Sequence, residues 1–193
     1  MNTKQKGNNF ERDCSRMLSL WVTNGHRDDA IWRSASSGAL TTVGKGRYLA
    51  HTGDFAATDG EAAWIFEHVI IEAKRGYNRY SMQDLLDVPE PGRAKNPVWE
   101  MVTKLEAACT DQSKYGLLLW KRDRRELLAF WRGNSYYDIY HRRTMHFYGL
   151  DDEKGWLGTN WNDFSSIVSA DRLRSLLAPP GASSSPTPSN LAP

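Results

Sequence analysis

The chain has 193 residues, 40% of them hydrophobic, and a formal net charge of only +2. That length supports a substantial core without cross-links, and two cysteines, Cys14 and Cys109, exclude a disulfide-built secreted scaffold. No apolar stretch approaches a membrane span, no leader-like segment opens the chain, and no Cys/His cluster has zinc spacing. The sequence therefore predicts a cytoplasmic protein with no membrane partner.

The first predicted element is a helix over 8–23, where Phe10, Cys14, Met17, Leu18 and Trp21 recur at helical spacing. A short strand over 30–34 and a Ser/Gly/Thr loop over 36–46 follow. Strands over 52–58 and 63–74 are then expected to pair as a hairpin across Asp59-Gly60. A Gly/Pro-rich connection, with a short helix at 81–87, leads to Pro97, well placed at the first turn of a helix ending near Asp111. Strands are expected over 115–121 and 126–131, and a last short helix over 171–177. The charge-free Ser/Pro/Ala tail over 178–193 has the composition of a disordered segment. The domain reading is one unit over 1–177, with a core at about 6–132, a C-terminal extension over 133–177, and the tail. No internal repeat is present.

The charges inside this pattern carry the chemistry. Residues two apart on a strand share a face, so Glu72 and Lys74 project together at the end of an apolar run. Charges there are costly unless something uses them. If the segment carrying Asp54 lies beside them, three charged groups meet where a divalent cation and a phosphate fit. A salt bridge on a solvated face is the plain alternative. Positive charge also clusters, in Lys121-Arg122-Asp123-Arg124-Arg125 and in Arg142-Arg143, as a DNA-binding surface requires. For the first cluster, which sits between two apolar strands, a charged hairpin loop is the ordinary reading. Aromatics are dense from Gly133 to Trp161, either stacking on bases or covering a sheet edge.

Gly53-Asp54 followed by Glu72-Ala73-Lys74 resembles the PD-(D/E)xK nuclease superfamily. Lys6-Gly7-Asn8-Asn9-Phe10-Glu11-Arg12 and Arg33-Ser34-Ala35-Ser36-Ser37-Gly38-Ala39 resemble the first helix and the serine-glycine loop of its Holliday-junction-resolvase-like members, while Glu-Ala-Lys-Arg-Gly-Tyr around Lys74 looks like phage or prophage nucleases. The resemblance spans about 6–132. It implies an α/β fold, a mixed central sheet flanked by helices in a restriction-endonuclease-like core, extended here by the aromatic-rich C-terminal part.

The same resemblance implies catalytic roles for Asp54, Glu72, Lys74 and Glu11. Asp54, Glu72, the Ala73 carbonyl and Glu11 would be metal ligands for Mg²⁺, with Mn²⁺ substituting. Ser37, Arg33, Arg75, Arg142 and Arg143 would contact DNA. Relatives place a glutamine or lysine on the helix after E-x-K; Gln83 and Lys104 are both candidates. The implied partner is DNA, branched duplex such as a four-way junction, cut by a homodimer because resolution needs two symmetric nicks; no small-molecule substrate is implied. Two alternatives stay open: a restriction-type, nicking or exonucleolytic nuclease of the same fold, and a non-catalytic DNA-binding or virion protein.

Overall fold

The computed structural model describes residues 3–34, 50–80, 97–112, 114–132 and 156–177. Helix α1 (Thr3–Val22) starts earlier than its apolar stripe predicts and buries that stripe at Phe10, Cys14, Leu18 and Trp21. Ser15, Ser19 and Thr23, also buried, satisfy their hydroxyls by donating to carbonyls four residues back, at 2.9, 2.8 and 2.8 Å. Ser19 Oγ in turn accepts from the Ile31 amide at 2.8 Å, which fixes strand β1 (Ile31–Arg33) against the helix.

Two sheets follow. Strand β3 (Phe55–Ala57) lies between β1 and β2 (Ala50–Thr52) in a three-stranded antiparallel sheet. The second sheet has four strands in the order β4 (Val69–Arg75), β5 (Tyr115–Lys121), β6 (Leu127–Arg132), β7 (Trp156–Asn160). β4 and β5 are parallel and the other pairs antiparallel, so the sheet is mixed. The parallel pair requires a crossover, which includes α3 (Pro97–Gln112).

Strand alternation divides the core. Val69, Ile71, Ala73, Leu117 and Leu119 face the α1 side, while Ile70, Leu118, Trp120 and Phe130 face Val98, Val102 and Leu105 of α3. The architecture is the α/β one expected, a mixed sheet with helices on both faces.

One expectation fails. The 52–58/63–74 hairpin does not form, because Gly60–His68 is helix α2. Asp59 is its N-cap, its carboxylate accepting from the Glu61 amide at 2.9 Å. Ala62, Trp64, Ile65 and Phe66 are all buried, so this short helix is apolar around most of its circumference and has no 3.6-residue stripe to read. The strand expected from 63 begins at Val69.

The C-terminal part is more regular than its sequence suggests. β7 extends the sheet, and α4 (Trp161–Ile167) and α5 (Ala170–Leu177) fold back over α1. Trp21 meets Trp161 edge-on at 5.6 Å between ring centres, and its Nε1 donates to the Val168 carbonyl at 2.8 Å. Both cysteines are buried free thiols. Among the described residues no helix is long and apolar enough to cross a membrane. The expected loop at 36–46, helix at 81–87, most of the aromatic segment and the tail lie outside the described residues.

Candidate active site

The site is built on the edge of β4 that β5 leaves free. The segment 52–54 runs along this edge: Thr52 Oγ1 donates to the Val69 carbonyl at 2.7 Å, and the Asp54 amide donates to the Ile71 carbonyl at 3.0 Å. Gly53 forms a parallel bridge with Ile71 and has φ of +68°, a left-handed conformation that favours glycine. A Cβ at Gly53 would fall 2.3 Å from the Ile71 oxygen. Only glycine therefore lets Asp54 approach β4 this closely. From the other side Ser34 holds the segment, its amide donating to Asp54 O at 2.8 Å and its hydroxyl to Gly53 O at 2.9 Å.

Asp54 Oδ2 accepts from the Ala73 amide at 2.8 Å and from Lys74 Nζ at 2.9 Å. Lys74 Nζ also donates to Glu72 Oε2 at 2.5 Å. The two carboxylates are thus bridged by one ammonium, and all three side chains are about a quarter to a third exposed, with values of 26, 28 and 32%. The salt-bridge alternative is met in geometry, but the bridge closes over a third charge, Asp54, brought in from a separate segment.

The electrostatics show an excess of negative charge. Burial raises the Glu72 pKa, and repulsion from Asp54 raises it further, against the opposing pull of Lys74. For Lys74, burial acts downward, but Asp54 and Glu72 together outweigh it and push the ammonium up to about 12. Glu11 is raised by burial and then by Asp54, with Arg33 and Lys74 acting against them. Arg33 Nε stands 3.4 Å from Glu11 Oε2.

This donor set suits a hard divalent cation. The Ala73 and Lys74 hydrogen bonds to Asp54 both fall on Oδ2. Carboxylate and carbonyl oxygens are what Mg²⁺ takes, and that ion keeps several waters rather than needing a full protein cage. Among the described residues no three His, Cys, Asp or Glu side chains are gathered as such a cage.

Glu72 and Lys74 share a face as their spacing predicts, and Asp54 meets them at Ala73 and Lys74, with Glu11 and Arg33 paired close by. Arg75 turns away: its guanidinium pairs with Asp123 at 3.2 Å, which also accepts from Asn78 at 3.1 Å. Of the two candidates after E-x-K, Lys104 lines a pocket of about 350 Å³ together with Glu72, Lys74, Tyr77 and Glu100. Gln83, Ser37, Arg142 and Arg143 lie outside the described residues. The contributions of Ser34 and Thr52 were not foreseen; neither has a spacing signal, because both act through backbone carbonyls of other segments.

A family model described as "Phage putative PDDEXK endonuclease" matches residues 2–172. The chain belongs to this family. No curated protein and no solved structure matches it. By the sequence resemblance Gly53 stands at the place of this superfamily's proline, and here the Ile71 carbonyl leaves no room for a Cβ. The match also takes in β7 and α4, so the aromatic part that closes over α1 falls within the family's extent.

Proposed function

We propose that this PDDEXK endonuclease is a Mg²⁺-dependent endodeoxyribonuclease acting on branched DNA such as four-way junctions, as a homodimer. The observation that carries the metal-dependent part is the convergence of Asp54 and Glu72 on a single Lys74 ammonium beside the Ala73 backbone. Branched-DNA preference is supported by the resemblance of the Lys6–Arg12 and Arg33–Ala39 segments to junction-resolving nucleases.

In this reading Asp54, Glu72 and the Ala73 carbonyl hold the ion, and Glu11 serves a second. When bound, Mg²⁺ neutralises charge on the scissile phosphate and lowers the pKa of its water, and Mn²⁺ can replace it. Gly53 keeps Asp54 against β4, so the carboxylate is positioned before DNA arrives. Lys74 donates hydrogen bonds to acceptors on two sides and, as an ammonium, donates to a phosphate oxygen and stabilises the charge that develops there. Arg33 and Ser37 contact flanking phosphate oxygens, Arg33 by exchanging its Glu11 partner for DNA. Arg75, Arg142 and Arg143 add backbone contacts.

The test is a product analysis on a labelled four-way junction and a matched linear duplex, with Mg²⁺ or EDTA. Paired symmetric nicks confined to the junction support the proposal. Equal cutting of linear duplex would move the function to a general or restriction-type nuclease on the same site. Binding without cutting would favour a non-catalytic DNA-binding protein.

A further inference from the structure

The basic run Lys121-Arg122-Asp123-Arg124-Arg125 divides in two once its contacts are known. Arg122 is structural: its Nη1 donates to the Tyr80 carbonyl at 2.8 Å and its guanidinium lies 5.4 Å from the Trp120 ring centre. Asp123 is structural too, joining Arg75, Asn78 and Lys6. Lys121, Arg124 and Arg125 have no ion-pair partner among the described residues, and Arg124 and Arg125 are exposed.

These three free cations, with Arg75, line one cleft of about 520 Å³ between α1, the β5–β6 turn and the start of α4. Its acidic side chains are Asp13 and Glu126, leaving an excess of positive charge. Arg124 has φ of +59°, where a residue with a side chain is strained and glycine or asparagine is favoured. An arginine at that position costs conformational energy, and among the described residues its side chain makes no hydrogen bond or ion pair that would offset it.

The cleft opens at the same end of the sheet as the candidate active site but on the other face: Arg75 ends β4 and points with Ala73 toward α1, whereas Glu72 and Lys74 point toward α3. Arg75 is also register partner of Lys121 across β4 and β5. Phosphates repeat every 3.4 Å of axis along each strand of a duplex. DNA lying across this end of the sheet, with one phosphate at Asp54 and Glu72, therefore carries further phosphates toward the cationic cleft on the other face.

We infer that the cleft lined by Arg75, Lys121, Arg124 and Arg125 is a second anchoring site that takes backbone phosphates of the DNA flanking the cut. The inference rests on the proposed DNA substrate but not on cleavage. Its contacts are to phosphate, so it supplies affinity and register without reading bases.

The experiment measures binding of the full-length protein to a labelled duplex in EDTA by fluorescence anisotropy, over a KCl series, for wild type, Arg124→Asn, Arg125→Gln and the double variant. Each lost phosphate contact flattens the slope of log K against log salt by about 0.9, so the double variant should lose about 1.8. Arg124→Asn should at the same time raise Tm by about 2–4 °C, because asparagine suits the left-handed position. Weaker binding from a more stable protein marks a residue retained for its ligand. An unchanged slope in the folded double variant overturns the inference, as does a wild type that fails to bind duplex. A protein that shows the predicted slope change yet cuts nothing with Mg²⁺ keeps the cleft and contradicts the nuclease proposal. Cutting with the slope unchanged does the reverse.

Discussion

The Ile71 carbonyl oxygen lies 2.3 Å from where a Gly53 Cβ would be placed, with φ at Gly53 of +68°. Alanine at 53 faces both a steric clash with backbone and an unfavourable left-handed conformation. Gly53→Ala should destabilise the fold by at least about 1–3 kcal/mol and displace Asp54, with loss of cleavage. Gly60→Ala is the control. Gly60 opens α2 with nothing within 4 Å of its added Cβ, so this substitution should stabilise by up to about 1 kcal/mol. Chemical denaturation of both variants checks the contrast.

Lys74 tests the division of labour in the site. With its ammonium held between two carboxylates and its pKa pushed up to about 12, it is a donor at neutral pH. Lys74→Ala should slow cleavage by about 10²–10³-fold while the slope of the pH-rate profile persists. A profile that becomes flat in the variant would instead assign Lys74 as the base.

Asp59 gives a pH prediction away from the site. The Glu61 amide it caps, and then Arg27, hold its carboxyl below the ordinary value of 3.8. Its folded pKa is depressed, so the native state binds this proton more weakly than the unfolded chain does. The stabilisation is complete above 3.8 and lost as pH falls through the depressed folded value. Asp59→Asn keeps a cap acceptor but no charge, so its stability should depend less steeply on acid than that of wild type. Urea midpoints between neutral pH and pH 3 measure this.

Asp59-Gly60 also shows where sequence reading reaches its limit. The pair is a good hairpin turn and an equally good helix start, and the aromatic and β-branched residues after it favour strand. Burial around most of α2 removes the stripe that would have decided for helix. By contrast, α1 has one buried face and its stripe was legible from Phe10 to Trp21. Glu72 and Lys74 were legible because strand alternation is local. That Asp54 reaches them depends on Gly53 meeting Ile71, a contact between segments that no spacing encodes. β7 and α4 have no predicted counterpart, since their signals are a five-residue strand and a seven-residue helix joined directly at Asn160-Trp161.

The packing of that C-terminal part on α1 can be tested at Trp21, which contacts Trp161 and Phe164 and donates to Val168. Trp21→Ala should cost about 3–5 kcal/mol. Trp21→Phe keeps an aromatic ring but leaves the buried carbonyl without its donor, a loss of about 1–3 kcal/mol. Thermal unfolding of both variants, as one transition with wild type, is the measurement.

The central claim is that Asp54 and Glu72 make a metal-dependent phosphodiesterase, and Mg²⁺ titration of wild type beside Asp54→Asn and Glu72→Gln tests it most directly, with DNA cleavage and Tm read on the same samples. The account predicts cleavage by wild type that needs Mg²⁺ and is abolished by EDTA. It also predicts stabilisation of wild type by about 2.7 kcal/mol when Mg²⁺ reaches a hundredfold excess over its Kd. Both effects should vanish in the two variants while they remain folded. Cleavage that survives EDTA, or that is retained by Asp54→Asn, would contradict it.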